Sequence, residues 1–366
     1  MKVLYFGTYE RDYPRNSQVI AALRDADVEV VERHVSVWDH QRHKLSVGLR
    51  GIGRLARAEA RLAWGPSPDA DVVLVGYPGH LDMWAAGRIA GPRPIVFNPL
   101  VSLEDTMVGD RGVVASRSPK ARLLRQLDRY AFRAADLIVA DTAAHARWFG
   151  EQFELDEDRI AVCFASTDDR RFTPGWHPPD EFHCFFWGKM IPLHGMETIL
   201  EAARRAPEIR FRIAGTGQLD GLLREDIPSN VDWAGWIDHE QLPGEIRTAG
   251  CALGIFGTTA KAERVIPNKA FEAIACGAPL VTGDTAAARE LLEDERDALL
   301  VPTGDPDALA SAIRRLAHDP ELQVRLAAGG RATYVARATE HVLGRHWRSL
   351  LERLMSKSGR GAGTAD

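Results

Sequence analysis

Short apolar runs alternate with helical patterns along the whole chain, and this alternation limits the possible folds more than any other feature. Runs of this length, bounded by turn residues, are typical of parallel β-sheets joined by crossover helices. The sequence therefore predicts an α/β protein made of two doubly wound, Rossmann-like domains that face each other across a cleft. The predicted strands are residues 2–6, 28–34, 71–77, 94–98, 136–140, 159–164, 182–188, 209–215, 230–235, 251–257, 278–283 and 297–302.

A proline-rich and charged segment interrupts this alternation, TDDRRFTPGWHPPDE from Thr167. It can continue neither a strand nor a helix, so we expect the domain linker there. We predict an N-terminal domain at 1–168, a C-terminal domain at 169–340, and a C-terminal helix with a disordered tail at 341–366. Open parallel sheets bind ligands at the carboxyl ends of their strands, so we expect the ligand site in the cleft.

Composition excludes several classes of protein. The formal net charge of −5 gives no reason to expect a nucleic-acid partner. The spacing of the four cysteines matches neither a zinc knuckle nor a CxxC redox pair, and no cluster of metal ligands is visible. The amino terminus reads as a strand rather than a signal peptide, and no apolar run approaches the ~20 residues that span a bilayer. We expect a cytoplasmic protein.

Two strand-end loops of the second domain combine glycine with positive charge. Lys189 and His194 follow a strand and precede a helix, where a cation beside free backbone N–H groups can hold a diphosphate. Gly215 and Gly217 follow the next strand and would let a ligand approach the backbone closely. The alternatives are a solvated lysine, a helix-capping histidine and an ordinary tight turn.

The segment RVIPNKAFEAIACGAP, from Arg264, gives the strongest indication of a ligand site. Its proline is suited to a helix start, where backbone N–H groups and a lysine can face an anion. A glutamate two turns into the helix could accept hydrogen bonds from a ribose, or could simply decorate the surface. A further loop contributes Trp236 and Ile237 near the expected position of a base, unless they only pin that loop. The expected binding residues of the segment are Arg264, Val265, Ile266, Pro267, Asn268, Lys269 and Glu272.

The first domain offers fewer candidates. A loop that begins at Gly7 should face the cleft, with Gly7 expected to contact the nucleotide sugar and Tyr9, Arg15 and Asn16 expected on the acceptor side. Arg15 beside a helix start could meet an anionic acceptor or a phosphate. Asp105 follows a strand end and could contact a sugar, although a capping role is equally consistent with its position. These side chains could also have surface roles alone.

These segments resemble the family 4 glycosyltransferases of the GT-B fold, whose pattern is G-[RK]-x-x-x-x-K-G, then x-G-x-G, then a glutamate helix running into G-x-P. The resemblance extends from Lys2 to Leu326. It implies a nucleotide-sugar donor, a cation pair at Lys189 and His194 that neutralises the diphosphate, and Glu272 as the residue that holds the donor ribose. It also implies an acceptor bound by the first domain, Asp105 near the transferred sugar, and no metal or other cofactor.

The chain departs from the family pattern at two positions. His194 stands where the second cation is usually a lysine, so its charge is expected to depend on pH. The position eight before Glu272 is Arg264 rather than a glutamate, and Glu263 lies one residue away. Either Glu263 serves from a shifted loop, or Arg264 and Lys269 clamp the phosphates. We favour the clamp because a guanidinium matches phosphate geometry.

The resulting hypothesis is a hexosyltransferase that moves a sugar to a hydroxyl with retention, in glycan, glycolipid or secondary-metabolite synthesis. A sugar-nucleotide epimerase of the same fold and an inactive donor-binding accessory protein are the alternatives. Two basic stretches, residues 42–64 and 117–133, could bring the N-terminal domain to the inner face of a membrane and a lipid-linked acceptor. They could equally be solvated helices that cover the sheet.

Overall fold

The computed structural model describes residues 1–37 and 49–361, which form two compact units. Unit 1 contains the described residues of Met1–Thr106 and Val114–Phe164, together with the last helix of the chain. Unit 2 contains Ala165–Thr339 and the short segment Met107–Val113. The chain therefore returns to unit 1 after completing unit 2.

Each unit is built on a six-stranded parallel sheet, and the twelve predicted strands are all confirmed among the described residues. The strand order is β2-β1-β3-β4-β5-β6 in unit 1 and β12-β11-β10-β7-β8-β9 in unit 2. Both orders reverse direction inside the sheet, which places a crevice at the carboxyl ends of the strands. The strands are β1 Lys2–Gly7, β2 Glu29–His34, β3 Val72–Val75, β4 Ile95–Phe97, β5 Leu137–Ala140, β6 Ile160–Val162, β7 His183–Trp187, β8 Arg210–Ala214, β9 Val231–Gly235, β10 Cys251–Leu253, β11 Leu280–Gly283 and β12 Leu299–Val301.

Helices connect the strands, and short 3₁₀ or π-helical turns occur in several of the loops. The predicted linker from Thr167 has neither helix nor strand up to β7. The helices are α1 Pro14–Asp25, α2 Leu49–Ala63, α3 Asp82–Ala90, α4 Pro119–Ala134, α5 Ala143–Phe153, α6 Met196–Arg205, α7 Asp220–Glu225, α8 Leu242–Thr248, α9 Asn268–Cys276, α10 Ala288–Leu291, α11 Pro306–His318, α12 Pro320–Arg337 and α13 Glu340–Gly361.

The sheet of unit 1 is buried on both faces. Successive residues of β1 belong to different apolar clusters: Leu4 and Phe6 pack with α3, α4 and α5, whereas Val3 and Tyr5 pack with α1 and α13. The alternation follows from the two-residue period of a strand. Trp347 of α13 is 1% exposed, so the last helix of the chain supplies part of the core of unit 1.

The two basic stretches form helices that differ in how their charges are balanced. In α4, Arg125 pairs with Glu104 at 2.8 Å, and Arg129 and Arg133 both pair with Glu154. Of the first stretch, residues 42–48, which include Arg42 and Lys44, lie outside the described residues, and Leu49–Ala63 forms α2. Among the helices that the structure describes, none combines the length and apolarity needed to cross a bilayer.

Candidate functional site

The loop that follows β7 carries the first predicted cation. The strand ends at Trp187, and the exposed Lys189 lies two residues beyond its carboxyl end. A 3₁₀ turn at Pro192–His194 then leads into α6. The structure thus places Lys189 at the sheet edge where parallel α/β sheets bind ligands.

Gly215 and Gly217 hold this loop in place by close backbone packing. A Cβ at Gly215 would overlap the carbonyl oxygen of Gly188, and one at Gly217 would lie 2.6 Å from the carbonyl oxygen of Met190. The two loops are joined by hydrogen bonds from Gly188 N to Ala214 O at 3.0 Å and from Met190 N to Thr216 O at 3.3 Å. The glycines therefore position the Lys189 loop. The glycine spacing in the sequence was equally consistent with this role and with close approach of a ligand to the backbone.

His194 contributes a neutral imidazole rather than a second positive charge. Its side chain is buried, and its Nδ1 contacts the Lys189 carbonyl oxygen, so Nδ1 carries the proton and donates. Burial and, second, the nearby Lys269 ammonium hold the pKa of His194 well below its ordinary value of 6.5. The expectation that its charge varies near neutral pH does not hold in this structure, because the imidazole stays neutral there.

Lys269 is the cation that the structure places deepest in the site. It lies in the first turn of α9, whose start at Pro267 has no capping side chain and no acidic residue in its first turn. Its Nζ makes no hydrogen bond to any residue that the structure describes, and it lies 3.6 Å from the centroid of the Phe186 ring. The side chain is 5% exposed, and burial lowers the pKa of Lys269 well below 10.5.

Lys269 and His194 meet at Gly188. A Cβ built on Gly188 would lie 3.5 Å from both Lys269 Nζ and His194 Cε1. A desolvated ammonium, an uncapped helix N-terminus and the Lys189 loop therefore converge at the carboxyl end of β7. Backbone N–H groups and a cation arranged in this way favour a negatively charged group such as a phosphate.

Glu272 lies one turn further along α9, and its carboxylate is already oriented. It is 5% exposed, and Oε2 accepts a hydrogen bond from Trp187 Nε1 at 2.5 Å. Its Oε1 lies 3.6 Å from His239 Nε2. A buried carboxylate with a fixed donor has remaining lone pairs for further donors, such as the hydroxyl groups of a ribose.

Sequence reasoning missed the residues that orient Glu272. Arg171 Nη1 donates to His239 Nδ1, and because a guanidinium cannot accept, the ring proton of the neutral imidazole lies on Nε2, which faces Glu272. Phe172 packs edge-on against the His239 ring. Trp187 is the last residue of β7, so an indole at a strand end was the one signal available. Arg171 and His239 are remote from Glu272 in the sequence and gave none.

The other predicted residues of unit 2 differ in exposure. Trp236 is 67% exposed and Ile237 is half-buried, whereas Val265 and Ile266 are buried. Val265 packs in a small apolar cluster, so any ligand contact there falls to its backbone. Arg264, Pro267 and Asn268 are half-buried, and Glu263, just before the segment, is exposed.

In unit 1, buried polar contacts fix the loop that carries Asp105. Asp128 accepts hydrogen bonds from Leu103 N at 3.0 Å, from Glu104 N at 2.9 Å and from Ser102 Oγ at 2.7 Å. The ring of His80 lies 3.2 Å from the same carboxylate. Asp105 then begins a π-helical segment, with its side chain half-buried.

The predicted acceptor-side residues of unit 1 are largely engaged within the fold. A Cβ at Gly7 would lie 2.9 Å from Cγ of Asp82, so this glycine accommodates a buried carboxylate. Tyr9 is fully buried, and its hydroxyl donates to Glu32 at 2.7 Å. Asn16 is fully buried as well and bonds to neighbouring backbone groups, and Arg15 is 2% exposed. Within residues 1–37 and 49–361 the structure shows no group of His, Cys, Asp or Glu side chains suited to a metal ion.

Comparison with known proteins finds a family model that matches most of unit 2. Residues 181–319 match the family model described as "Glycosyl transferases group 1". The D-inositol 3-phosphate glycosyltransferase of Streptomyces scabiei is 26% identical over 282 residues, which is 69% of this chain and 61% of that protein. The chain thus spans about three fifths of that relative's length. The phosphatidyl-myo-inositol mannosyltransferase of Mycolicibacterium smegmatis is 27% identical over 92% of this chain and 87% of that protein.

Solved structures share the whole fold. Sucrose-phosphate synthase from Thermosynechococcus elongatus superposes with a TM-score of 0.74 at 17% identity, over 97% of this chain and 99% of that chain. Anabaena Alr3699/HepE in complex with UDP-glucose gives a TM-score of 0.70 at 15% identity, over 96% of this chain and 100% of that chain. At these identities the likeness concerns the fold, two Rossmann-like domains.

Proposed function

We propose that this chain is a group 1 glycosyltransferase, which transfers a sugar from a nucleotide diphosphate donor to a hydroxyl group of an acceptor. The observation that carries the proposal is the convergence of Lys269, the start of α9 and the Lys189 loop at the carboxyl end of β7. Transfer of a sugar leaves negative charge on the departing diphosphate. Preorganised donors aimed at that charge lower the barrier.

Each donor-side residue then has a definite task. Lys269 and the N–H groups at the start of α9 bind the diphosphate, Lys189 approaches it from solvent, and His194 donates to the Lys189 carbonyl to hold the loop. Glu272, oriented by Trp187, accepts from the ribose hydroxyls of the donor. We propose retention at the anomeric carbon, with Asp105 of unit 1 near the transferred sugar.

The acceptor is assigned to unit 1. The names of two relatives mention an inositol phosphate and a phosphatidyl-inositol, which supports a polyol, carbohydrate or lipid-linked hydroxyl. A peripheral contact with the inner face of a membrane is supported by α2, where Arg54 and Arg57 are exposed, more than by α4, whose arginines are paired. Trp64, just beyond α2, is 57% exposed.

The two alternatives have less support. An epimerase needs an acid and a base placed beside the sugar, and in unit 2 the candidate histidine, His194, is buried and bonded to a backbone carbonyl. An accessory protein would bind donor without transfer. The two relatives and sucrose-phosphate synthase are named for transfer or synthesis, and the HepE structure holds UDP-glucose.

A thermal-shift titration tests the donor site. UDP-, GDP-, dTDP- and ADP-sugars are compared on the full chain, with UDP-glucose first because HepE holds it. A donor at one hundred times its Kd stabilises the fold by about 2.7 kcal/mol. Lys269→Met keeps the side-chain length and removes a charge-assisted contact of about 1.5–3 kcal/mol, so the Kd for the donor should rise roughly 10–150-fold. Lys120→Met, at an exposed lysine of α4, is the matched control.

An acceptor-dependent transfer assay then separates the three functions. New product with an added hydroxyl acceptor supports a transferase, isomerised free donor supports an epimerase, and binding without either supports an accessory protein. Glu272→Gln should weaken donor binding, while Asp105→Asn should lower kcat and leave donor binding unchanged. A folded protein that no nucleotide sugar stabilises would contradict the proposal.

A further inference from the structure

Arg15 holds a buried positive charge at the carboxyl edge of the sheet of unit 1. It is 2% exposed and donates from Nε to Asn98 Oδ1 at 3.0 Å and from Nη1 to the carbonyl oxygens of Cys163 and Phe164. Asn98 follows β4 and the two carbonyls follow β6, so the guanidinium lies across the strand ends. Within residues 1–37 and 49–361, its Nη2 has no hydrogen-bond partner.

No negative charge of the described chain balances this guanidinium. Its hydrogen-bond acceptors are an amide oxygen and two backbone carbonyl oxygens, and none of them is a carboxylate. Two nearby ionisable groups are neutral: burial raises the pKa of the Tyr5 phenol above its ordinary range and that of the Cys163 thiol to about 12. A guanidinium cannot escape burial by losing its proton, so an uncompensated one is costly.

The surroundings of Arg15 are those of a ligand site. In the order β2-β1-β3, β2 lies on one side of β1 and β3 on the other, so the strand order reverses between β1 and β3. Parallel α/β sheets bind ligands at the carboxyl ends of the strands where such a reversal occurs. Arg15 is the second residue of α1, a 12-residue helix whose first turn has neither a side-chain cap nor an acidic residue. The start of α1 therefore adds its own positive potential to that of the buried guanidinium.

An aromatic pair lies at the start of α1, the helix that carries Arg15. The half-buried rings of Tyr13 and Tyr77 lie with their centroids 4.6 Å apart, one before α1 and one after β3. Asn16 fixes the backbone of Tyr77, because its side chain accepts from Tyr77 N at 2.8 Å and donates to Tyr77 O at 2.9 Å. Aromatic faces of this kind pack well against the C–H surface of a sugar or cyclic polyol.

We propose that unit 1 binds an acceptor that carries an oxyanion, a phosphate or a carboxylate, with Arg15 and the start of α1 holding the charge and Tyr13 and Tyr77 flanking the ring. This inference rests on the proposed function, because it takes the bound anion to be the acceptor of the transfer. Binding of the anion itself can be tested without transfer. The incoming oxyanion takes up the Nη2 hydrogen bonds that the chain leaves unmade. It also supplies the counter-charge that the fold lacks.

Isothermal titration calorimetry on the full chain tests the site, with and without saturating UDP. UDP fills the diphosphate site of unit 2, so remaining heat reports on unit 1. We expect glucose 6-phosphate or glucuronate to bind and glucose to bind at least tenfold more weakly. Vesicles containing phosphatidic acid show whether a lipid phosphate is preferred to the soluble one.

Variants of Arg15 decide the assignment. Arg15→Gln should weaken binding of the anionic probe at least tenfold and leave the Kd for UDP unchanged. Arg15→Lys, which keeps the charge, should retain part of the affinity, and it replaces Arg15→Gln in the test if that variant does not fold. Arg11→Gln, at an exposed arginine paired with Glu32, is the matched control and should change neither affinity.

Three outcomes overturn the inference. The anionic probes bind no better than glucose to a protein that binds UDP, or they bind equally well to the wild type and to folded Arg15→Gln, or Arg11→Gln loses as much affinity as Arg15→Gln. In each case Arg15 is a structural clamp on the chain after β6. Failure of UDP to bind while the anionic probes still respond to Arg15 would instead contradict the donor proposal and leave the anion site standing.

Discussion

Replacement of Gly215 by alanine is the sharpest test of how the donor loop is held. The new Cβ would overlap the Gly188 carbonyl oxygen and lie 2.8 Å from its carbon. The obstructing atoms are backbone, so no side chain can rotate away. The overlap can be removed only if the loop of Gly188 and Lys189 moves away from the loop that follows β8.

The cost can be worked out from the contacts that would be lost. Two backbone hydrogen bonds, Gly188 N to Ala214 O and Met190 N to Thr216 O, join the loops, and losing both costs about 1–3 kcal/mol. Gly215 also has a φ of +125°, where an L-residue is strained by about 1–3 kcal/mol. Gly215→Ala should therefore lower the free energy of unfolding by about 2–6 kcal/mol.

Urea denaturation and a nucleotide-sugar titration measure the two consequences. The variant should unfold at lower urea and, where still folded, bind the donor more weakly because Lys189 is displaced. Gly221→Ala in α7 is the matched control, since its Cβ would meet only Glu225 Oε1 at 3.9 Å and alanine favours a helix by up to about 1 kcal/mol. If Gly215→Ala unfolds within 0.5 kcal/mol of the wild type and keeps its donor affinity, the packing argument is wrong.

Further predictions concern the groups that orient Glu272 and one acidic pair. Trp187→Phe removes the indole donor of the buried Glu272 carboxylate and should cost about 1.5–3 kcal/mol in urea denaturation; a change below 0.5 would contradict this role. His239→Ala should raise the KM for the donor severalfold with little change in kcat. His239→Gln, which keeps an N–H donor, should return the KM toward the wild-type value. Equal increases in KM for the two variants would exclude a positioning role. Burial, and then the neighbouring Asp82 carboxyl, raises the pKa of Glu59 to about 9. The folded state thus holds the extra proton between about pH 4.5 and 9, so stability should fall as pH rises through that window, and Glu59→Gln should flatten this profile measured by denaturation at each pH.

The strands could be predicted from sequence because each depends on a local pattern. An apolar run between turn residues is buried wherever it lies, and β7 with its following glycine loop was found on that basis. The position of Lys189 at a strand end followed from the same pattern, since the carboxyl end of a parallel strand is fixed once the strand is known.

The burial, charge and contacts of each side chain could not be predicted in the same way. Lys269 was recognised as a cation at a helix start, but its burial against Phe186 depends on a strand far away in the sequence. The lowered pKa of His194 depends first on the burial of its own ring and then on that same lysine. Arg171 and His239 meet Glu272 only after three separate segments have folded together, and no local pattern encodes such a meeting.

The position of α13 has a consequence for how the protein is made. This helix is synthesised after all of unit 2, yet Trp347 and Leu351 complete the apolar cluster that contains Val3 and Tyr5. Domains usually fold as they leave the ribosome, the first one first. Here the first domain must wait with one apolar face uncovered until α13 emerges, so a stop codon placed before α13 would damage the half of the protein that lies furthest from it in the sequence.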